Sequence, residues 1–279
     1  MTNYFDIINR VFQRETRPPV PHLTRAQARR LIFGAIDILL KKEGFIYKKG
    51  NNVWRITDVK TDVIELQFLR LEDRQGLFEL PESMFSISYG CYYPFIPDVN
   101  GERFLHRIDH LLTPREVDCH VRLRATRTIK QKLIRNSLLF SRWELLLLPY
   151  GKSKMHPETW HLDEPKERQA LVLSDVLNRL TTEIIPTLNK LSDIGNWIEL
   201  LETKESNLGV SSSHISIDRN FLLGFTYKHL GNTNKAIAYF MQAKKLGEEL
   251  QTKFTEAQLV STDLSARIQI INDAVAELT

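Results

Sequence analysis

The stretch LLKKEGFIYKKGNNVWRI, Leu39–Ile56, changes its period in the middle, and that change decides the fold class. Upstream, Leu31, Ile32, Ala35, Ile36, Leu39 and Leu40 recur at helical spacing. Thr24 with Gln27 makes a capping box, so a helix opens there, runs to about Glu43 and stops at Gly44. Downstream the pattern is that of strands. Phe45–Lys49, a turn at Gly50-Asn51-Asn52 and Val53–Thr57 read as a hairpin. Val63–Leu71 is the next strand, with Ile64, Leu66, Phe68 and Arg70 in one register. In Ser83–Tyr93, Phe85, Ile87 and Tyr89 alternate with Ser86, Ser88 and Gly90. Four strands with short links predict an antiparallel sheet with one face under the preceding helix.

Working outward, residues 4–15 read as a short helix, with Tyr4, Phe5, Ile8, Val11 and Phe12 on one stripe, and RPPVPH, Arg17–His22, as a Pro-rich connector. Glu102–Leu112 reads as a helix, Val117–Ala125 as an alternating strand and Trp143–Leu148 as a buried one. A long helix is expected from about Pro165 to Leu191, kinked or divided at Pro186, and Asp193 caps another to about Glu205. The Ser-rich stretch 206–216 is the best boundary, and beyond it all is helical: about Ile217–Leu230, Lys235–Leu250 and Phe254–Leu278. The expectation is an α+β fold, an antiparallel sheet packed against helices and followed by an all-helical segment. Its parts are 1–22, an α+β domain at 23–205, a linker at 206–216 and helices at 217–279.

The 279 residues are 42% hydrophobic and 26% charged, the composition of an ordinary globular protein. No apolar run reaches the ~20 residues of a membrane-spanning helix. The opening MTNYFDIINR lacks the apolar core of a signal peptide, so a cytoplasmic protein without membrane contact is expected. Two cysteines, Cys91 and Cys119, are too few for a disulfide framework or a four-cysteine zinc site, and both are expected to be buried thiols.

The net charge of +4 is unevenly spread: +7 over residues 1–60, −5 over 61–101, +6 over 102–142 and −4 beyond. The densest basic run is RLRATRTIKQKLIR, with Arg122, Arg124, Arg127, Lys130, Lys132 and Arg135 and no acid between them. Such a run is a candidate patch for phosphates or for an acidic protein surface; solvated strand and helix faces are the plainer reading. No phosphate-binding Gly-rich loop, His-Glu-x-x-His or Gly-x-Ser-x-Gly pattern occurs. His106 and His110 would share a face of a helix, yet the Glu of a zinc protease is absent. Cys119 and His120, adjacent in a strand, would point to opposite faces and so would not pair. His156 and His161 flank Trp160 in a loop and read as turn residues. No cofactor or metal is expected.

Near the C-terminus, Leu223, Gly224, Tyr227, Gly231, Ala236, Phe240 and Ala243 keep the spacing of a tetratricopeptide repeat. Small residues at 224, 236 and 243 let two helices approach, Tyr227 and Phe240 fill the space between, and Gly231 turns the chain. The stretch Ile217–Gly247 resembles one such repeat, although Asn220 stands at the family's usual Trp position and Glu248 at its closing Pro position. No second copy is present, and a hairpin that caps the first domain is the competing reading. Leu264, Ile268, Ile271, Val275 and Leu278 form a heptad stripe expected to pack in cis along this hairpin.

The first part also resembles a bacterial family, domain of unknown function 4304. The residues that carry the resemblance are Gly44-Phe45, Lys48-Lys49-Gly50, Trp54-Arg55, Gln67 and Phe85-x-Ile87-x-x-Gly90, with the later CHVRLR and RWELLL segments. It covers about residues 23–200. It implies an α+β fold and brings no catalytic residue; some such small domains are regarded as toxin-neutralising immunity proteins. The expected function is therefore non-enzymatic protein binding, as an immunity or adaptor protein whose partner is a toxin or another acidic protein surface. Two alternatives stay open: nucleic-acid binding through 122–135, and a hydrolase using His106, His110 or His120. Trp54 and Trp143 are expected to be buried on the sheet, and Lys48 and Lys49 to stand in solvent.

Overall fold

The computed structural model describes residues 23–68, 82–97, 106–108, 111–129, 157–162, 166–203, 215–256 and 262–279. The expected helix at 4–15, the connector 17–22, the strand at 143–148 with Trp143, and Lys130, Lys132 and Arg135 lie outside these residues.

Helix α1, Arg25–Lys42, opens at the capping box: Thr24 Oγ1 accepts from the Gln27 N–H, and the Gln27 side chain accepts from the Thr24 N–H. It ends where Gly44 takes φ of 85°, a left-handed conformation suited to glycine. Strands β1 (Tyr47–Lys49), β2 (Asn52–Ile56), β3 (Thr61–Phe68) and β4 (Phe85–Tyr92) follow. Together with β7 (Val121–Arg124) they form a five-stranded antiparallel sheet in the order β1-β2-β3-β4-β7. The fold class is thus α+β.

Alternation gives the sheet two unlike faces. Val53, Ile64, Leu66, Phe68, Phe85, Ile87, Tyr89, Cys91 and Val121 share one core with Ala28, Ile32, Ile36 and Leu40 of α1. Trp54, Val63, Tyr92 and Cys119 form a smaller cluster on the opposite, outer face. Lys48 and Lys49 are exposed, the Lys48 ammonium lying 3.6 Å from the centre of the Phe33 ring.

Two expectations for the middle of the chain are corrected. The segment read as a helix at 102–112 contributes two short antiparallel strands, β5 (His106–Ile108) and β6 (Leu111–Thr113). Leu105, Ile108, Leu111 and Leu112 satisfy a helical period in the sequence, but the backbones of 106–108 and 111–113 pair with each other instead. The strand read as starting at Val117 begins instead with a 3-10 turn at Glu116–Asp118, because the Asp118 carboxylate accepts from the Arg115 N–H at 2.9 Å.

The helices follow. α2 (Lys166–Arg179) runs through a π turn at Leu180–Ile184 into α3 (Ile185–Lys190). The wide turn lies directly before Pro186, which has no N–H to give. In α4 (Ile194–Glu202) the Asp193 carboxylate accepts from the Gly195 N–H at 2.7 Å. α5 (Ile215–His229) starts inside the stretch read as linker, whose residues 206–214 lie outside the described set. α6 (Thr233–Glu256) outruns its expected end, and α7 (Thr262–Ala276) starts later than Phe254.

The seven residues singled out in the repeat-like hairpin lie at the α5–α6 junction. Leu223, Tyr227, Ala236, Phe240 and Ala243 are buried, and Gly231 turns the chain at φ of 71°. A Cβ on Gly224 would sit 2.4 Å from two carbons of the Phe240 ring, so only glycine allows that approach. α7 packs in cis, with Leu264, Ile271 and Ala274 buried and Ile268 against Gly247. The hairpin is not a free repeat. Every residue from Phe221 to Tyr227 is buried, because α4 closes on α5 through Trp197, whose Nε1–H donates to Thr226 Oγ1 at 3.0 Å. Trp197 in turn stacks on Tyr93, 4.7 Å between ring centres, and so joins the hairpin to the sheet.

Candidate protein-binding face

Two of the basic residues singled out in the sequence, Arg122 and Arg124, stand on the outer face of the sheet, because β7 pairs Gly90 with Arg122 and Ser88 with Arg124. The register continues across the sheet: Ser88 faces Glu65, and Glu65 faces Asn52. One row of the outer face therefore reads Asn52, Glu65, Ser88, Arg124, every member polar.

The 3-10 turn is laid over this row. Trp54, 2% exposed, anchors its approach: the indole N–H donates to the Pro114 carbonyl at 2.6 Å. Gly90 makes room, since a Cβ there would meet the Val121 carbonyl oxygen at 2.1 Å. Glu116 is thereby buried with its charge compensated: Arg122 Nε lies 3.2 Å from one carboxylate oxygen and Gln67 Nε2 3.4 Å from the other. Burial and the neighbouring Glu116 charge push the Glu65 carboxyl above the usual range, against hydrogen bonds from the Glu116 backbone and the Gln67 side chain.

The rim of the face carries exposed ion pairs. The Arg124 side chain is 54% exposed and has its carboxylate neighbour, Glu158, at 3.7 Å. Arg115 is half exposed beside Asp118 at 3.6 Å, and Val117 stands in solvent between them in sequence. Arg127 belongs elsewhere: its guanidinium donates to the Ile129 carbonyl at 2.7 Å, in a loop pinned by Asp175. Asp175 accepts from the Thr128 N–H at 3.2 Å and from the Trp160 indole at 2.8 Å. The described part of the basic run, Arg122, Arg124 and Arg127, is thus divided between a sheet face and a loop. Sequence reading missed Glu65, Gln67, Ser88, Arg115 and Glu116; the period-2 register of β3 and β4 was the available signal for the first three.

The three histidines of the hydrolase alternative are described in part. His106 is in β5, and His110 lies outside the described set. His120 stacks on Tyr92 with 4.8 Å between ring centres and accepts the Tyr93 N–H on Nδ1 at 2.9 Å. Burial pushes its pKa down to about 3, so the ring is neutral near pH 7. Among the described residues no group of three or more His, Cys, Asp and Glu side chains is placed to hold a metal ion. None of their helices is long and apolar enough to cross a membrane.

A second polar cluster lies on the inner face. Lys60 and Asp62 are both fully buried and bonded to each other. Arg55 reaches the other Asp62 oxygen at 2.7 Å, the Cys91 thiol donates to Asp62 at 3.2 Å, and Lys60 donates to the Leu188 carbonyl at 2.7 Å. Burial, then the Asp62 charge, pushes the Cys91 thiol well up, which keeps it protonated and a poor nucleophile. The cluster ties α3 to the sheet.

No family model matches the chain, nor does any curated protein or solved structure.

Proposed function

We propose that the chain is a non-enzymatic bacterial protein-binding protein, of the immunity or adaptor kind, that meets another protein by surface complementarity across the outer face of its sheet. The observation that carries this reading is the pairing of signs on that face. Arg115, Arg122 and Arg124 alternate with Glu116, Asp118 and Glu158 around an exposed Val117. A polyanion such as RNA repels the interspersed carboxylates, whereas a protein partner presents both signs and apolar contacts. The resemblance of residues 23–200 to domain of unknown function 4304 leads the same way.

Arg124→Glu is the informative variant. It reverses an exposed charge, while Arg122→Glu would leave the buried Glu116 beside another carboxylate and risk the fold. In affinity purification from cells at moderate salt, a protein partner is expected to be retained by the wild type and lost from Arg124→Glu. Binding of a mixed-sequence RNA whose log K falls steeply with log salt, and which Arg124→Glu abolishes, overturns the reading in favour of nucleic acid.

A further inference from the structure

We propose that the outer face of α1 is a second docking site, for an acidic amphipathic helix of a partner protein. α1 buries Ala28, Ile32, Phe33, Ile36 and Leu40 against the inner face of the sheet, so its other side faces away from the sheet. That side should be polar on a helix that only covers a sheet. It carries instead Leu31, 37% exposed, and Ile38, 83% exposed.

Single exposed apolar residues are ordinary. These two are joined by Gly34 and Ala35, and the four positions i, i+3, i+4 and i+7 are those that frame a hole for an incoming side chain. A Cβ on Gly34 would meet nothing within 4 Å, so that corner of the frame is open, while Ala35 opposite it leans on the core. The helical period sets Arg30 and Lys41 along one border of the stripe and Lys42 along the other. All three are exposed. Asp37 is the one acid of the helix and pairs with Lys41 at 2.8 Å; no described carboxylate pairs with Arg30 or Lys42.

An apolar notch bordered by cations fits a helix whose apolar knob is flanked by Glu or Asp. A second copy fits poorly: either orientation of α1 against α1 sets Arg30, Lys41 and Lys42 against like charges. This surface lies on the side of the molecule away from the sheet's outer face. Two opposed docking faces are what a bridging adaptor needs.

The test uses the full chain and two synthetic helical peptides of about four turns. One carries Leu along a single stripe with Glu on its borders; the other has Lys for every Glu. The Glu peptide should bind saturably, with amide shift changes confined to α1. Ile38→Asp, which substitutes an exposed side chain and leaves the fold intact, should weaken it by about tenfold or more, and Gly34→Leu, which fills the notch, by a similar factor. Arg30→Glu with Lys42→Glu should turn the preference toward the Lys peptide, and Arg124→Glu should change nothing, which separates this site from the sheet face. Failure of the Glu peptide to bind, equal binding of both peptides, or binding untouched by Ile38→Asp overturns the proposal. So does sedimentation with phosphatidylglycerol vesicles, or dimerisation by light scattering, that Ile38→Asp abolishes; these assign the stripe to a lipid surface or to a second copy.

Discussion

The sheet and the helical hairpin are held by different means. Around the sheet, buried charges are kept and each is bonded: Lys60 and Asp62 inside, Glu116 outside, Asp175 under the loop at 128. In the hairpin the close approach of the two helices is steric, glycine against phenylalanine and alanine against its neighbours, and polar contacts such as Lys235 Nζ to Tyr227 Oη at 3.2 Å stand at its edge. The difference follows from what must be joined. Two helices from one stretch of chain meet along apolar stripes, and shape alone sets their distance. A sheet that receives a distant helix end must satisfy that end's carbonyls, which Lys60 does for Leu188 and Tyr93 does for Leu191 at 2.8 Å.

The comparison can be broken at its strongest point. Asp62→Ala leaves Lys60 buried without its carboxylate, and urea unfolding should show a loss of about 3–5 kcal/mol. Lys60→Met should cost clearly less, because Asp62 keeps Arg55. Equal losses would mean that the clamp to α3, not the charge pairing, carries the cluster.

Trp54→Ala empties a buried ring site on the outer face and should cost ~3–5 kcal/mol, whereas Trp54→Phe keeps most of the packing and loses the bond to Pro114, about 1 kcal/mol. A loss below ~1 kcal/mol for the alanine variant would show that the outer cluster contributes little.

In the hairpin, Gly224→Ala should cost ~1–3 kcal/mol by overpacking against Phe240. If shape is what matters, adding Phe240→Leu to Gly224→Ala should cost less than the sum of the two single changes, since each relieves the other. Strict additivity in thermal melts would contradict the steric account.

The last tests are in pH. His120 is held neutral, with its folded pKa below the unfolded value. Its contribution is therefore complete above pH ~6.5 and drains as pH falls toward about 3. A His120→Gln variant should lose that slope. Glu65 has the opposite sign: its folded pKa is raised, so its contribution is present below the ordinary carboxyl range and is lost as pH rises through the folded value. Glu65→Gln should gain on the wild type between mildly acidic and neutral pH. A flat difference across that range would show that the carboxyl titrates alike in both states.

Much of the architecture was legible because it rests on local rules. The Thr24–Gln27 box and the turn at Gly44 bounded α1, alternation gave β3 and β4 their faces, and the small residues at 224, 236 and 243 placed the hairpin contact. The β5–β6 hairpin was missed because Leu105, Ile108, Leu111 and Leu112 also satisfy a helical period, and short apolar runs do not distinguish the two. The candidate face was half legible. Arg122 and Arg124 stood out as charge, but a charge count does not reveal that Glu116 folds back onto Arg122.

By itself, then, the sequence determined the α+β class, the two faces of each strand and the helix stripe of the hairpin, since these depend on residues within a few positions of one another. The tertiary structure alone decided that Lys60 and Glu116 are buried, that α5 is enclosed rather than left as a groove, and that Arg122 and Arg124 part from Arg127, the first two on a sheet face and the third in a loop. Those outcomes depend on pairs such as Lys60 with Leu188, far apart in the chain, and hydrogen bonds and burial are set by distance in space, on which sequence spacing is silent.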